Sequence, residues 1–302
     1  TSRRGIERDP TGFLSWYTLG GAHLMRGLTA HQPAELARAV PPFLRSLALN
    51  PTYHPARIML GAVYTLRGAY AQAGELIDGA VQAELSGAGF QFLGSLVQRA
   101  MLYIGMGQCG AAAPFLDQAI QRYTGADHVY AELTTAFAHF ARGCLAERSD
   151  DSDQALIDFS RAVAIADAND HRINIGAHWV KSRFGVARAL HRSGQSQGAQ
   201  QALTDGQEIF ASRSRFVWTY FIGGADADVL YEEAATLATL GRSDDALGAL
   251  RRAADAGWAD VIWLRHDPAF NTLRDAPDVL RLCADAASRV TLPPPVGSGG
   301  LG

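Results

Sequence analysis

Lysine is almost missing from this chain of 302 residues: of its 27 Lys and Arg residues only Lys181 is a lysine. Neither sign of charge dominates, because 30 Asp and Glu leave a net charge of −3. A nucleic-acid partner would need a strongly basic domain or stripe, and the sequence offers neither. The arginine bias, with an excess of alanine and glycine, reads as the codon usage of a GC-rich bacterial genome rather than as phosphate chemistry. Cysteine is scarce too. Cys109, Cys144 and Cys283 are odd in number, widely spaced and set inside helical patterns, which argues against a disulfide framework or a cysteine-based metal site and leaves them as small core residues. No apolar run approaches the roughly eighteen residues of a membrane span. The basic start, Thr1-Ser2-Arg3-Arg4-Gly5, leads into charged residues and Pro10 rather than an apolar signal core. The expectation is a soluble, cytoplasmic chain without a membrane span, with a periplasmic location left open. No stretch alternates apolar and polar residues long enough to form a strand, so the fold class expected is all-α.

What the chain has instead is a repeat. Four copies read Gly-x4-Ala-x3-apolar-x2-small: Gly68/Ala73/Ile77/Ala80, Gly107/Ala112/Leu116/Ala119, Gly194/Ala199/Leu203/Gly206 and Gly241/Ala246/Leu250/Ala253. Two more, Ala34/Ala39/Phe43/Ser46 and Asp150/Ala155/Phe159/Ala162, keep the frame with the glycine replaced. Glycine can close one helix in the left-handed conformation, and the alanine and the apolar residue four places later share a face of the next helix. The key alanines fall at 39, 73, 112, 155, 199 and 246, so the spacing lengthens along the chain and the curvature should be irregular. A repeat array buries each unit against its neighbours and forms one continuous superhelix. Residues 1–12 are expected to be an extended or loosely held leader, 13–257 the array, 258–290 a C-terminal cap and 291–302, with its Pro293-Pro294-Pro295, a flexible tail.

The first unit carries Trp16-x2-Leu19-Gly20-x2-His23, then Ala39-x3-Phe43 and Pro51; the second carries Leu60-Gly61-x2-Tyr64 before Gly68. This order resembles the tetratricopeptide repeat (TPR), with His23 in place of its tyrosine. The resemblance implies a right-handed superhelical solenoid of about six helix pairs with a C-terminal capping segment. The two ends resemble something narrower. The long first turn around Thr29-Ala30-His31-Gln32-Pro33, with Leu47-Ala48-Leu49-Asn50-Pro51 after it, and the closing Gly257-Trp258, Trp263-Leu264, Asp267-Pro268-x-Phe270 and Ala276-Pro277 are similar to the C-terminal TPR modules of bacterial signalling proteins. There such modules follow winged-helix, nucleotide-cyclase or protein-kinase domains, which implies a regulatory or scaffolding role in protein-protein interaction.

A TPR array lines its concave groove with outward positions of each first helix. In the second and third units these are Ile58, Met59, Thr65, Val97, Gln98, Met101 and Ile104; in the fourth and fifth, His139, Arg142, Lys181, Arg188, His191 and Arg192. A groove apolar at one end and basic in the middle suits a protein or peptide carrying an acidic or C-terminal carboxylate group. The bland alternative is that Arg188, His191 and Arg192 are a solvated helix end, where cations are favoured anyway. A different class of function is a ligand-sensing module holding a small anionic molecule inside the superhelix on Lys181, Arg188 and Arg192. A third is a structural subunit of a larger assembly, held by the apolar block Phe216–Ile222.

Catalytic and metal chemistry find little footing. There is no Gly-x-Ser-x-Gly elbow, and Gly20-Gly21 and Gly223-Gly224 lack the lysine and strand-to-helix setting of a phosphate loop. His171 and His178 would sit two helical turns apart, about 10 Å, too far to share one ion. Asp150-Asp151-x-Asp153 opens like a calcium loop but lacks its glycine and closing glutamate, and reads as an acidic helix start. Glu232-Glu233 has no evident partner and reads as a solvated face. Trp258, Trp263, His266, Asp267 and Phe270 are expected to seal the open end of the array over the Ala246 helix pair, a ligand pocket there being the lesser reading. The chain is thus expected to be no enzyme, with no cofactor and no metal.

Overall fold

The computed structural model describes residues 2–29, 33–87, 93–169, 176–212 and 226–288. All secondary structure among them is helical. A leading helix α1 (Ser2–Arg8) lies within the stretch expected as a leader and is followed by α2 (Phe13–Thr29), α3 (Pro33–Leu49), α4 (His54–Leu66), α5 (Tyr70–Ser86), α6 (Ser95–Gly105), α7 (Cys109–Tyr123), α8 (Ala131–Arg148) and α9 (Ser152–Ala168). Then come α10 (Gly176–Arg192), α11 (Ser196–Ser212), α12 (Asp226–Thr239), α13 (Ser243–Asp255), α14 (Val261–His266), a single 3-10 turn (Pro268–Phe270) and α15 (Pro277–Ser288).

The repeat frame explains the pairing. Ala39, Ala73, Ala112, Ala155, Ala199 and Ala246 are each fully buried, as are Phe43, Ile77, Leu116, Phe159, Leu203 and Leu250 four places on. These residues hold six antiparallel pairs, α2 with α3 through α12 with α13. Close approach depends on missing side chains: a Cβ on Gly143 or on Gly185 would come within 2.6 Å of the Phe159 ring, which is sandwiched between them. One contiguous apolar core then runs from Leu24 to Val279.

The turns within the pairs share one geometry. Gly68, Gly107, Gly194 and Gly241 all adopt positive φ, between 68° and 76°. In each case the next residue's N–H donates to the carbonyl five residues back, from Ala69 to Tyr64, Gln108 to Tyr103, Gln195 to Leu190 and Arg242 to Leu237. This is the Schellman closure of a helix end. Asp150 takes the same conformation at φ 57°, and Asp151 N–H reaches Ala146 O at 2.9 Å. The frame therefore identifies a left-handed position even where its glycine is gone. In the first unit it does not: Ala34 lies inside α3, and residues 30–32 of that turn lie outside the described residues.

Consecutive first helices α2, α4, α6, α8, α10 and α12 also touch, which builds the concave side, and α12 comes round to touch α2. The superhelix is thus closed rather than open. The C-terminal segment completes the closure. α15 packs on α13 and the 3-10 turn on α12; α14 lies against α6, and a Cβ on Gly107 would meet the His266 ring at 2.8 Å. The expected seal over the Ala246 pair is therefore only part of what this segment does. The Phe216–Ile222 block, His171 and the proline-rich tail lie outside the described residues.

Candidate binding site

Inside the closed superhelix lies a cavity of about 100 Å³ to which all six first helices contribute. Gly27 of α2, Ala62, Thr65 and Leu66 of α4, Gln98 and Met101 of α6, Phe137 of α8, Lys181 of α10, and Asp228, Tyr231 and Glu232 of α12 stand in its wall. Tyr70 of α5 and the segment from Ala256 to Asp260, with Trp263, complete it. Most of this lining is aromatic or aliphatic, with a few polar groups among it, which is the make-up of a small-ligand pocket.

The wall on the C-terminal side is fixed by specific contacts. Trp258 stacks on Tyr231 with ring centroids 5.0 Å apart and planes 12° from parallel. Tyr231 in turn donates its hydroxyl to Asp267 at 2.8 Å and packs beside Phe270. The Arg148 guanidinium lies 4.1 Å over the Trp263 ring, a cation–π contact between α8 and the cap. Tyr70 donates to Asp260 Oδ2 at 2.6 Å, while Asp260 Oδ1 accepts the Trp263 N–H and so caps α14. Burial, with Asp228 nearby, pushes the Asp260 carboxyl up to about 7, against the lowering effect of these hydrogen bonds and of Arg148.

The residues expected to line a groove divide into three sets. Thr65, Gln98, Met101 and Lys181 stand at the cavity wall. Ile58, Val97 and Ile104 are core residues, at most 1% exposed, and Met59 packs beside Ile58 and Ala80. Arg142 of α8 and Arg188 and Arg192 of α10 are engaged by carboxylates. Arg188, buried, makes a bidentate pair with Glu147, its Nε and Nη2 each 2.9 Å from an oxygen, and donates from Nη1 to Glu232 at 2.9 Å and to Thr236. Arg192 lies 3.5 Å from Glu147, and His191 beside it is half-buried. Lys181, also buried, places its Nζ 4.5 Å over the Phe140 ring. The expected solvated face at Glu232-Glu233 is corrected in the same way: both are buried, Glu232 on Arg188 and Glu233 on Gln207 and Arg252.

His139 and Arg142 belong to a device the sequence uses twice. In α8, His139 Nδ1 lies 2.8 Å from Asp158 of α9, and Arg142 binds the same carboxylate at 2.8 Å. In α2, His23 and Arg26, with the same two-residue gap, grip Glu35 of α3 at 2.8 and 2.9 Å. The hydrogen bonds from His23, then Arg38 and Arg26, hold the Glu35 carboxyl down at about 2. Burial raises Asp158, but His139, Arg142 and Gln154 together outweigh it and keep the carboxyl below the ordinary range. These clusters pin first helices to second helices. His178 is stacked on Phe137 at 4.4 Å and is held neutral, first by burial and then by Lys181. Among the described residues no group of three or more His, Cys, Asp or Glu side chains could hold a metal ion.

The sequence frame does not single out Tyr70, Tyr231 and Asp260, while Trp258 and Trp263 read there first as a seal and second as part of a ligand pocket. A repeated spacing cannot reveal contacts such as that of Tyr70 with Asp260, which join residues 190 positions apart. The one local signal was the density of aromatic and polar residues after Gly257.

No protein-family model matches the chain, and no curated protein does. Solved structures do. The Rap protein complexed with Competence and Sporulation Factor superposes with a TM-score of 0.65 at 13% identity, over 92% of this chain and 76% of that one. The apo quorum sensor NprR from B. thuringiensis gives 0.55 at 12% identity, with the same coverage. The APC/C hetero-tetramer Cut9–Hcn1 gives 0.57 at 15% identity over 94% of this chain, which spans only 44% of that one. At such identities the likeness concerns the fold, and that fold is an all-α, TPR-like superhelical solenoid.

Proposed function

We propose that this chain is a non-catalytic interaction module of a bacterial regulatory or scaffold system, akin to the C-terminal TPR modules of signalling proteins, and that it takes one residue of a peptide segment into its concave interior. The observation that carries this reading is the convergence of all six first helices on one cavity. A peptide engaged there would bias the relative position of every unit, which is what a regulatory module needs. The Rap protein, similar in fold, was solved with its factor bound, which supports the same use of this architecture.

The charge preference of such a partner differs from a purely basic groove. A carboxylate in the cavity would face Asp228, Glu232 and Asp260, with Lys181 the one cation in the described wall. Arg188 and Arg192 are turned to Glu147. The proposed peptide therefore inserts a neutral residue and keeps any acidic group outside. The cavity volume also suits a free small molecule, the second reading, in which the module senses a metabolite rather than a protein. A cytoplasmic location fits both, and among the described residues no helix is long and apolar enough to cross a membrane.

The test is selection of peptides from a random display library on the full chain, repeated with Met101→Glu, which places a charge in the cavity wall. Peptides enriched by the native chain and lost in the variant, with helix content unchanged, support the reading. Enrichment of no peptide, or binding indifferent to Met101→Glu, would overturn it.

A further inference from the structure

One polar side chain in the cavity wall has no partner among the described residues. Gln98 is 3% exposed, yet neither its Nε2 nor its Oε1 makes a hydrogen bond. It shares the wall with the apolar and aromatic side chains of Met101, Phe137 and Trp258 as well as with Lys181, Asp228 and Glu232. Leaving a buried donor and acceptor both unmatched is costly, so an amide left that way at the wall of a cavity marks a place where something else binds.

From this we infer that the cavity is a recognition pocket for a side-chain carboxamide, the Asn or Gln residue of the peptide proposed above. The inference rests on that reading and names its anchor. A primary carboxamide offers one donor and one acceptor side by side, so it alone among side chains answers both Gln98 atoms in a single planar pair. Its size agrees. A cavity of about 100 Å³ is smaller than the roughly 150 Å³ that accommodates benzene, so it holds a group of a few heavy atoms and no length of backbone. Its neutrality suits a lining that carries Asp228, Glu232 and Asp260 as well as Lys181.

The test uses the full chain and three probes of one shape, followed by ligand-observed saturation-transfer NMR: propionamide, propionate and butanone. Propionamide is expected to bind about tenfold more tightly than butanone, which accepts but cannot donate, and than propionate. Gln98→Met, an apolar side chain of similar length, should reduce propionamide to the level of butanone while leaving the melting temperature equal or higher, since it removes an unmatched buried amide. A structural Gln98 would instead show a lower melting temperature and no change in probe order. In the peptide arm, library binders should be rich in Asn or Gln and weaken about tenfold on Gln98→Met. Binders without a carboxamide, or probes that rank alike on the native chain, would overturn the pocket's specificity even if the peptide reading stands. A propionamide preference without any selected peptide would overturn the peptide as its source.

Discussion

Arg188 is a charge carried into the interior and held there by two glutamates from different units, Glu147 of α8 and Glu232 of α12. Removing it would strand both carboxylates away from water. Arg188→Ala should therefore lower stability by roughly 3–5 kcal/mol, measurable as a reduced urea midpoint; a loss below 1 kcal/mol would mean that the network is solvated. A second residue-scale prediction concerns Asp150, which holds a positive φ that favours glycine. Asp150→Gly should raise stability by up to about 1 kcal/mol, since the left-handed strain exceeds the added chain entropy. A destabilised variant would show that the aspartate side chain does more than occupy the turn. The sequence frame aligns Asp150 with the turn glycines, because the position five residues ahead of the key alanine is fixed by helix geometry. It could not foresee the engagement of Arg188, since a basic residue on a helix face looks the same whether it meets solvent or a glutamate 41 positions away.

Among the elements, the C-terminal segment departs furthest from expectation. Composition marked Trp258, Trp263 and Phe270 as burial-prone, and all three are buried. What they cover was not legible, because packing across the superhelix leaves no periodic trace. Tyr231 and Arg148 meet Trp258 and Trp263, while Tyr70 meets Asp260. A chain ending at residue 256 should melt well below the full chain, each large side chain contributing about 1.5–3 kcal/mol; circular dichroism melting with no change would contradict this packing. The Asp260 contact adds a pH dependence. Its carboxyl, at about 7, lies above the ordinary value of 3.8, so the folded state holds the proton more tightly than the unfolded chain. The stabilisation is complete below about pH 4, declines as pH rises through 7 and is absent above it. Compared with Asp260→Asn, native stability should fall by about 4 kcal/mol between pH 4 and 7 and then run parallel. Parallel curves over the whole range would place Asp260 in solvent.

At the scale of the whole molecule, the six-unit array was legible from its alanines and glycines, while its closure was not. Lengthening steps from 34 to 47 residues pointed to irregular curvature. That irregularity ends in contact between α12 and α2. Closure converts an open groove into an interior cavity and changes what the concave side can bind. The site was accordingly half legible: Thr65, Gln98, Met101 and Lys181 came from the repeat frame, and the aromatic wall opposite them came only with the fold. The central claim is that a partner enters this closed interior, and hydrogen exchange of the full chain with and without a library-selected peptide tests it most directly. Binding should slow exchange together in α4, in α6 and in residues 256–266, three segments far apart in sequence that share the cavity. Protection confined to the second helices α9, α11 or α13, with those three segments unchanged, would contradict it.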